Sequence, residues 1–123
     1  MKKVLIVDDD KDICAITKKR LTQAGYEAMA ALSGQEAISL CQTNHPDLVL
    51  LDIAMPDMDG YLVCERIRQD DKTKNIPVLF VTGKELLPKG IDQRCQDLGA
   101  CGYICKPFQI DELLKKITEI LGT

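Results

Sequence analysis

Short runs of consecutive apolar residues alternate along the chain with longer stretches whose apolar positions recur at helical spacing. Val4 to Val7, Leu48 to Leu51 and Val78 to Val81 are apolar at every position, and each is predicted to be a strand. Tyr26 to Leu32 is a weaker strand, Gly102 to Cys105 is the fifth, and Pro77 is tolerated at the fourth strand's first position. Between them the spacing predicts a helix from Lys11 to Ala24, with Ile13, Ile16, Leu21 and Ala24 facing one way and Gly25 just beyond the C-cap. Ser33-Gly-Gln-Glu36 has capping-box spacing and opens a helix to Gln42. Further helices are expected over Tyr61 to Asp70, over Ile91 to Leu98, and from Phe108 onward to about Leu121. The last carries Ile110, Leu113, Leu114, Ile117 and Leu121 on one stripe. Met55 to Gly60 and Lys84 to Gly90 read as loops because of their prolines, glycines and aspartates.

Five strand–helix units in succession imply an α/β domain. Strands without alternation are buried on both faces, as in a parallel sheet covered by helices. The expected architecture is a single domain over 1–123: a flavodoxin-like (βα)5 three-layer sandwich whose parallel sheet has the order 2-1-3-4-5.

Composition narrows the class. The chain has 123 residues, 46% hydrophobic and 28% charged, which suits a folded soluble domain rather than a disordered one. A formal charge of -3 gives no concentrated basic face for direct nucleic-acid binding. No apolar run reaches the roughly 20 residues that cross a bilayer, so no membrane association and a cytoplasmic location are expected. Six cysteines are scattered without a Cys-x-x-Cys pair, and four of them (Cys14, Cys41, Cys64, Cys95) fall in predicted helices. They read as small buried hydrophobes in a reducing compartment, with Cys101 and Cys105 the pair to check for oxidation. His45, the sole histidine, precedes Pro46 in a turn and has no partners for catalysis or metal binding.

The chemistry gathers at the strand ends. Strand 1 runs into Asp8 and Asp9, strand 3 into Asp52, strand 4 into Thr82 and strand 5 into Lys106. In the order 2-1-3-4-5 these four strands are neighbours, and their carboxyl ends share the edge where open α/β sheets bind ligands. Singly, each residue has a plainer explanation: Asp8 to Asp10 as a helix cap, Thr82 as a turn residue, Lys106 as a solvated lysine. Asp52 resists one, because a carboxylate ending an apolar central strand is costly without a partner. Three carboxylates in one pocket repel by about 4 kcal/mol per pair at 4 Å and an effective dielectric near 20. Lys106 offsets one charge and a divalent ion two more. Oxygen-only donors favour Mg²⁺ over zinc or copper. Carboxylates around Mg²⁺, beside a hydroxyl and an ammonium, suit phosphoryl transfer, and an Asp can itself be the nucleophile, giving an acyl phosphate.

Val4-Leu-Ile-Val-Asp-Asp9, Leu51-Asp-Ile-Ala-Met-Pro56 with Asp59-Gly60, Val81-Thr-Gly83 and Gly102-Tyr-Ile-Cys-Lys-Pro-Phe108 resemble the motifs of response regulator receiver domains, in the right order and from end to end. The resemblance implies a two-component signalling switch that takes a phosphoryl group onto Asp52 from a histidine kinase or phosphotransfer protein. It implies Asp9 as a direct Mg²⁺ ligand, Asp8 as one acting mainly through water, and the main-chain carbonyl of Ala54 as a third. Lys106 would pair with Asp52 and then with the phosphoryl group, Thr82 would donate its hydroxyl to it, and Tyr103 would change rotamer as Thr82 moves. A cis Lys106–Pro107 bond would aim Lys106 into the pocket. Ala54 and Lys84 occupy the positions that set dephosphorylation rate in this family. The small Ala54 and cationic Lys84 imply an acyl-phosphate lifetime unlike that of fast-cycling receivers, an implication that unchanged decay in Ala54→Asn or Lys84→Glu would count against.

Helix 5 stops close to Thr123, so the signal is expected to pass to a downstream protein target, or to a covalently linked output domain if the chain is a fragment, from a monomer or weak dimer. Two rivals share the fold class or the nucleophile. Asp8-x-Asp10, Thr82 and Lys106 imitate motifs of aspartate-nucleophile phosphatases of the haloacid dehalogenase type. That family needs an acidic motif on a further strand, and the reading leaves Asp52 unexplained. A flavin carrier would need a phosphate-cradling loop where Asp8-Asp-Asp10 stands. A phosphorylation-independent binding module is the remaining alternative, and it would not require the complete acid set and lysine found in this chain.

Overall fold

A computed structural model describes residues 1–83 and 90–122. Its elements are β1 (Lys3–Val7), α1 (Lys11–Gln23), β2 (Glu27–Ala31), α2 (Gly34–Asn44), β3 (Leu48–Asp52), α3 (Gly60–Gln69), β4 (Val78–Gly83), α4 (Ile91–Leu98), β5 (Gly102–Lys106) and α5 (Ile110–Leu121). All pairings are parallel, in the order β2-β1-β3-β4-β5. This is the expected flavodoxin-like α/β sheet.

Strand alternation sorts the core into two layers. Leu5, Val7, Val49, Leu51, Val78 and Phe80 face α2, α3 and α4, where they meet Ala37, Cys41, Val63, Cys64, Ile67 and Cys95. The alternate residues Val4, Ile6, Leu48, Leu50, Leu79, Val81 and Ile104 face α1 and α5 and pack on Cys14, Leu21, Leu113 and Ile117. Burial on both sides explains why these strands show no polar alternation.

The first helix departs from expectation. Its inward residues are Cys14 and Leu21, with Ile13 half-buried, whereas Ile16 is 62% exposed and Ala24 is the exposed C-cap. A rotation of about 100° per residue puts Ile16 roughly 200° from Cys14, on the opposite side. Two helix starts also shift. The last helix starts at Ile110 rather than Phe108, because Gln109 is extended and serves as its N-cap. The third starts at Gly60, because Asp59 accepts the Leu62 N–H at 2.9 Å and caps it. At α2 the capping box is offset: Ser33 Oγ accepts the Glu36 N–H at 3.2 Å, but Glu36 reaches back to the Leu32 N–H at 3.2 Å. The predicted loop over Lys84 to Gly90 lies outside the described residues except for Gly90, which caps α4 at φ +76°.

Candidate functional site

The carboxyl edge of the sheet brings Asp8, Asp9, Asp52 and Lys106 together, and Thr82 lies near the same end of β4. Asp8 follows β1 and is only 4% exposed. Its N–H bonds the Ala31 carbonyl at 3.1 Å, which fixes the chain as it leaves the sheet. Its carboxylate accepts the Asp10 N–H at 3.0 Å on Oδ1 and the Lys106 ammonium at 2.7 Å on Oδ2. Helix capping falls to Asp10 alone, whose Oδ1 takes the Asp12 and Ile13 N–H groups. Asp9 is exposed and free to face an incoming ligand.

Asp52 ends β3 and is 6% exposed. Its Oδ1 accepts the Ala54 N–H at 3.3 Å, and its Oδ2 lies 3.5 Å from Lys106 Nζ. The expected Lys106–Asp52 pair is therefore present, but the shorter ion pair is with Asp8, a partner the sequence did not single out. One ammonium bridges two buried carboxylates. The Lys106–Pro107 bond is cis, as the family motif implied.

Burial pushes the Asp52 carboxyl above its ordinary value; Lys106 pulls it back and the Asp8 charge pushes it further up, so burial prevails. Burial acts to lower the Lys106 pKa, yet the hydrogen bond to Asp8 and the charges of Asp52 and Asp8 outweigh it, and the ammonium is held above its usual range.

Carboxylate oxygens of Asp8, Asp9 and Asp52 all lie within 4.8 Å of one another. Three hard oxygen donors, one of them open to solvent, fit a divalent cation of the Mg²⁺ type, which retains water and takes few protein ligands. Ala54 is exposed at the start of the loop to α3, two residues past Asp52, and its N–H donates to Asp52 Oδ1. Lys84 lies outside the described residues.

Thr82 is 2% exposed, and among the described residues its hydroxyl makes one marginal contact, to the Gly83 carbonyl at 3.5 Å. In the β4–β5 register Phe80 opposes Tyr103 and Thr82 opposes Cys105, so Thr82 and Tyr103 occupy diagonal positions on one face of the sheet. Tyr103 packs half-buried against the core on the α3–α4 side. Gly60 was missed as a site residue. A Cβ there would meet the Asp52 carbonyl oxygen at 2.5 Å and the Ile53 Cα at 2.8 Å, so only glycine lets α3 start against the end of β3. Asp59-Gly60 carries part of the family resemblance, but nothing local in the sequence says that the glycine must lie against the end of β3.

Residues 4–118 match the sequence profile of the response regulator receiver domain. The chain belongs to the response regulator receiver family. This receiver is similar to the DNA-binding dual master transcriptional regulator RpaA of Synechocystis sp., 36% identical over 98% of this chain and 49% of that protein. It is also similar to the probable transcriptional regulator ycf27 of Cyanophora paradoxa, 40% identical over 98% of this chain and 48% of that protein. The receiver thus spans about half the length of these relatives. Among solved structures it is similar to the chemotaxis protein CheY4 of Vibrio cholerae, with a TM-score of 0.91 and 33% identity over 98% of this chain and 99% of that one. A CheY-like receiver domain protein of Methanospirillum hungatei gives 0.91 and 33% over 99% and 94%. As a family member, the receiver is a phospho-acceptor switch in two-component signalling, a class that works with histidine kinases and generally uses Mg²⁺. The phosphatase and flavin-carrier readings give way to it. No helix among the described residues is long and apolar enough to cross a membrane.

Proposed function

We propose that Asp52 is the phospho-acceptor of this receiver and that Asp8, Asp9 and the Ala54 carbonyl hold its Mg²⁺. The observation that carries this reading is the convergence of Asp8, Asp9 and Asp52 within 4.8 Å while Lys106 bridges two of them. Mg²⁺, when bound, supplies charge neutralisation for the carboxylates and the incoming phosphoryl oxygens. An Asp52 carboxylate oxygen attacks phosphorus in line, the bond from phosphorus to the donor's histidine nitrogen breaks, and the imidazole leaves. Lys106 neutralises a phosphoryl oxygen as the phosphoryl group is transferred to Asp52, and the edge of the sheet orients both side chains.

Phosphorylation adds about two negative charges and three acceptor oxygens. The Thr82 hydroxyl, whose contact among the described residues is with the Gly83 carbonyl at 3.5 Å, turns to meet one of them. Tyr103 lies diagonal to it on the same sheet face and follows into the space released. The α4–β5–α5 surface then changes shape, a two-state shift driven only by the differential contacts of the phosphoryl group. The reader of that surface is a partner protein or a linked output domain of the kind found in the transcriptional relatives. Six free cysteines support work in the reducing cytoplasm.

Incubation with a small phosphodonor and Mg²⁺, followed by intact-mass measurement, tests the reading. One stoichiometric phosphoryl group is expected on the wild type, with none in chelator and none on Asp52→Asn. Equal labelling of the variant would refute it.

A further inference from the structure

The loop between β3 and α3 is closed at its feet. Ile53 donates its N–H to the Val81 carbonyl at 3.2 Å, and its own carbonyl accepts the Gly60 N–H at 2.8 Å. The crown of the loop is held elsewhere. Asp57 accepts the Gly34 N–H on both carboxylate oxygens, at 3.2 and 3.0 Å, and the Gln35 N–H on Oδ2 at 3.4 Å. These are the first N–H groups of α2, which the helix cannot satisfy internally. The local cap, Ser33, serves only Glu36 with its side chain. A carboxylate from a loop more than twenty residues downstream completes the cap, in the position where the helix dipole favours negative charge.

The docking is close as well as polar. A Cβ on Gly34 would meet Val63 Cγ2 at 2.8 Å and Met58 Cβ at 3.0 Å, so the start of α2 lies directly against the loop crown and α3. Met58 packs partly buried on the core, and Met55 is 8% exposed. Ala54 sits between the two fixed ends.

We infer that Asp57 is a positioning residue for the cation site: by capping α2 it holds the β3–α3 loop in the conformation that presents the Ala54 carbonyl beside Asp52. The inference rests on the proposed ligand set and extends it to a residue that touches no ligand. Affinity for a cation falls in proportion to the fraction of molecules in which the loop is docked. By reciprocity, bound cation must in turn protect the α2 cap. A cap that served helix stability alone would show neither effect.

The test uses isotopically labelled protein: an NMR titration with MgCl₂, and amide exchange with and without it, for wild type, Asp57→Ala and Asp57→Asn. Asp57→Ala is expected to weaken Mg²⁺ binding about fivefold, the equilibrium equivalent of one lost cap interaction. It should also speed exchange at Gly34 and Gln35, and Mg²⁺ should slow that exchange in the wild type. Asp57→Asn keeps an acceptor oxygen without the charge and is expected to stay within about twofold of wild type. Unchanged Mg²⁺ affinity in Asp57→Ala overturns the inference and leaves the cation site standing. Equal weakening in both variants, with Gly34 still protected, assigns the effect to charge at a distance and also overturns it. A wild type showing no Mg²⁺-dependent shift at Asp8, Asp9 and Asp52 removes the cation site itself, and this inference with it.

Discussion

Replacing Asp52 by asparagine should stabilise the metal-free protein, although Asp52 faces a lysine. The substitution is isosteric, and the amide oxygen can still accept the Ala54 N–H bond made at 3.3 Å. What changes is charge. Asp52 lies 3.5 Å from Lys106 Nζ, an attraction of about 5 kcal/mol at an effective dielectric near 20. Against it stand Asp8 and Asp9, with oxygens no more than 4.8 Å away. Each repels by about 3.5 kcal/mol or more on the same scale, before the exposed Asp9 is discounted for screening. Desolvation of the buried carboxylate adds further opposition. Lys106 also keeps its shorter partner, Asp8 at 2.7 Å, when Asp52 loses its charge. The balance favours the neutral side chain by about 1–2 kcal/mol, or roughly 3–10 °C in Tm for a domain of this size. Thermal unfolding at pH 7 in chelator measures it directly. Added Mg²⁺ should stabilise the wild type more than the variant and close the gap, because only the wild type keeps all three carboxylates. A variant that unfolds earlier than wild type in chelator, or a gap that Mg²⁺ leaves unchanged, would refute the reasoning.

Three further outcomes follow from the same geometry. Gly60→Ala forces a Cβ to 2.5 Å from the Asp52 carbonyl oxygen, and chemical denaturation should show a loss of about 2–4 kcal/mol; a loss under about 0.5 kcal/mol would mean α3 can retreat freely. Thiol reagents should modify the exposed Cys101 and, more slowly, the half-buried Cys105, while Cys14, Cys41 and Cys64, pushed up to about 11 by burial, and buried Cys95 react only on unfolding. Peptide mapping after brief alkylation checks this, and early modification of Cys41 or Cys64 would contradict it. Lys106 is held above its ordinary 10.5 in the folded state, so its contribution is complete below that value and is lost as pH rises through the folded pKa. Metal-free wild type should therefore lose stability above pH 10.5 more steeply than Lys106→Gln, and parallel curves would dismiss the linkage.

The sheet was legible because its strands are buried on both faces. Val4 to Val7 and Leu48 to Leu51 leave no alternative to a covered parallel sheet, and the polar residues that end them mark the functional edge. Local patterns failed where the deciding contact lies far along the chain. Cys14, not Ile16, faces the core, since a cysteine weighs little in a hydrophobic pattern yet fits under α1 and donates to the Asp8 carbonyl at 3.3 Å. Arg68 looks like a surface residue of α3. Its guanidinium in fact binds the carbonyls of Leu98, Lys74, Ile76 and Gly99, tying the end of α4 and the approach to β4 to one helix. The preference of Lys106 for Asp8 had no sequence signature either. It depends on how far a side chain from β5 reaches across the sheet edge, which only the register sets.

The central claim concerns one carboxylate, and trapping its product tests that claim most directly. Borohydride reduction of protein labelled by a small phosphodonor converts an aspartyl phosphate to homoserine, and peptide mass mapping then locates it. Homoserine is predicted at position 52 alone, and only when Mg²⁺ was present during labelling. Homoserine at position 8 or 9, or none from protein that carries a phosphoryl group, would contradict the account.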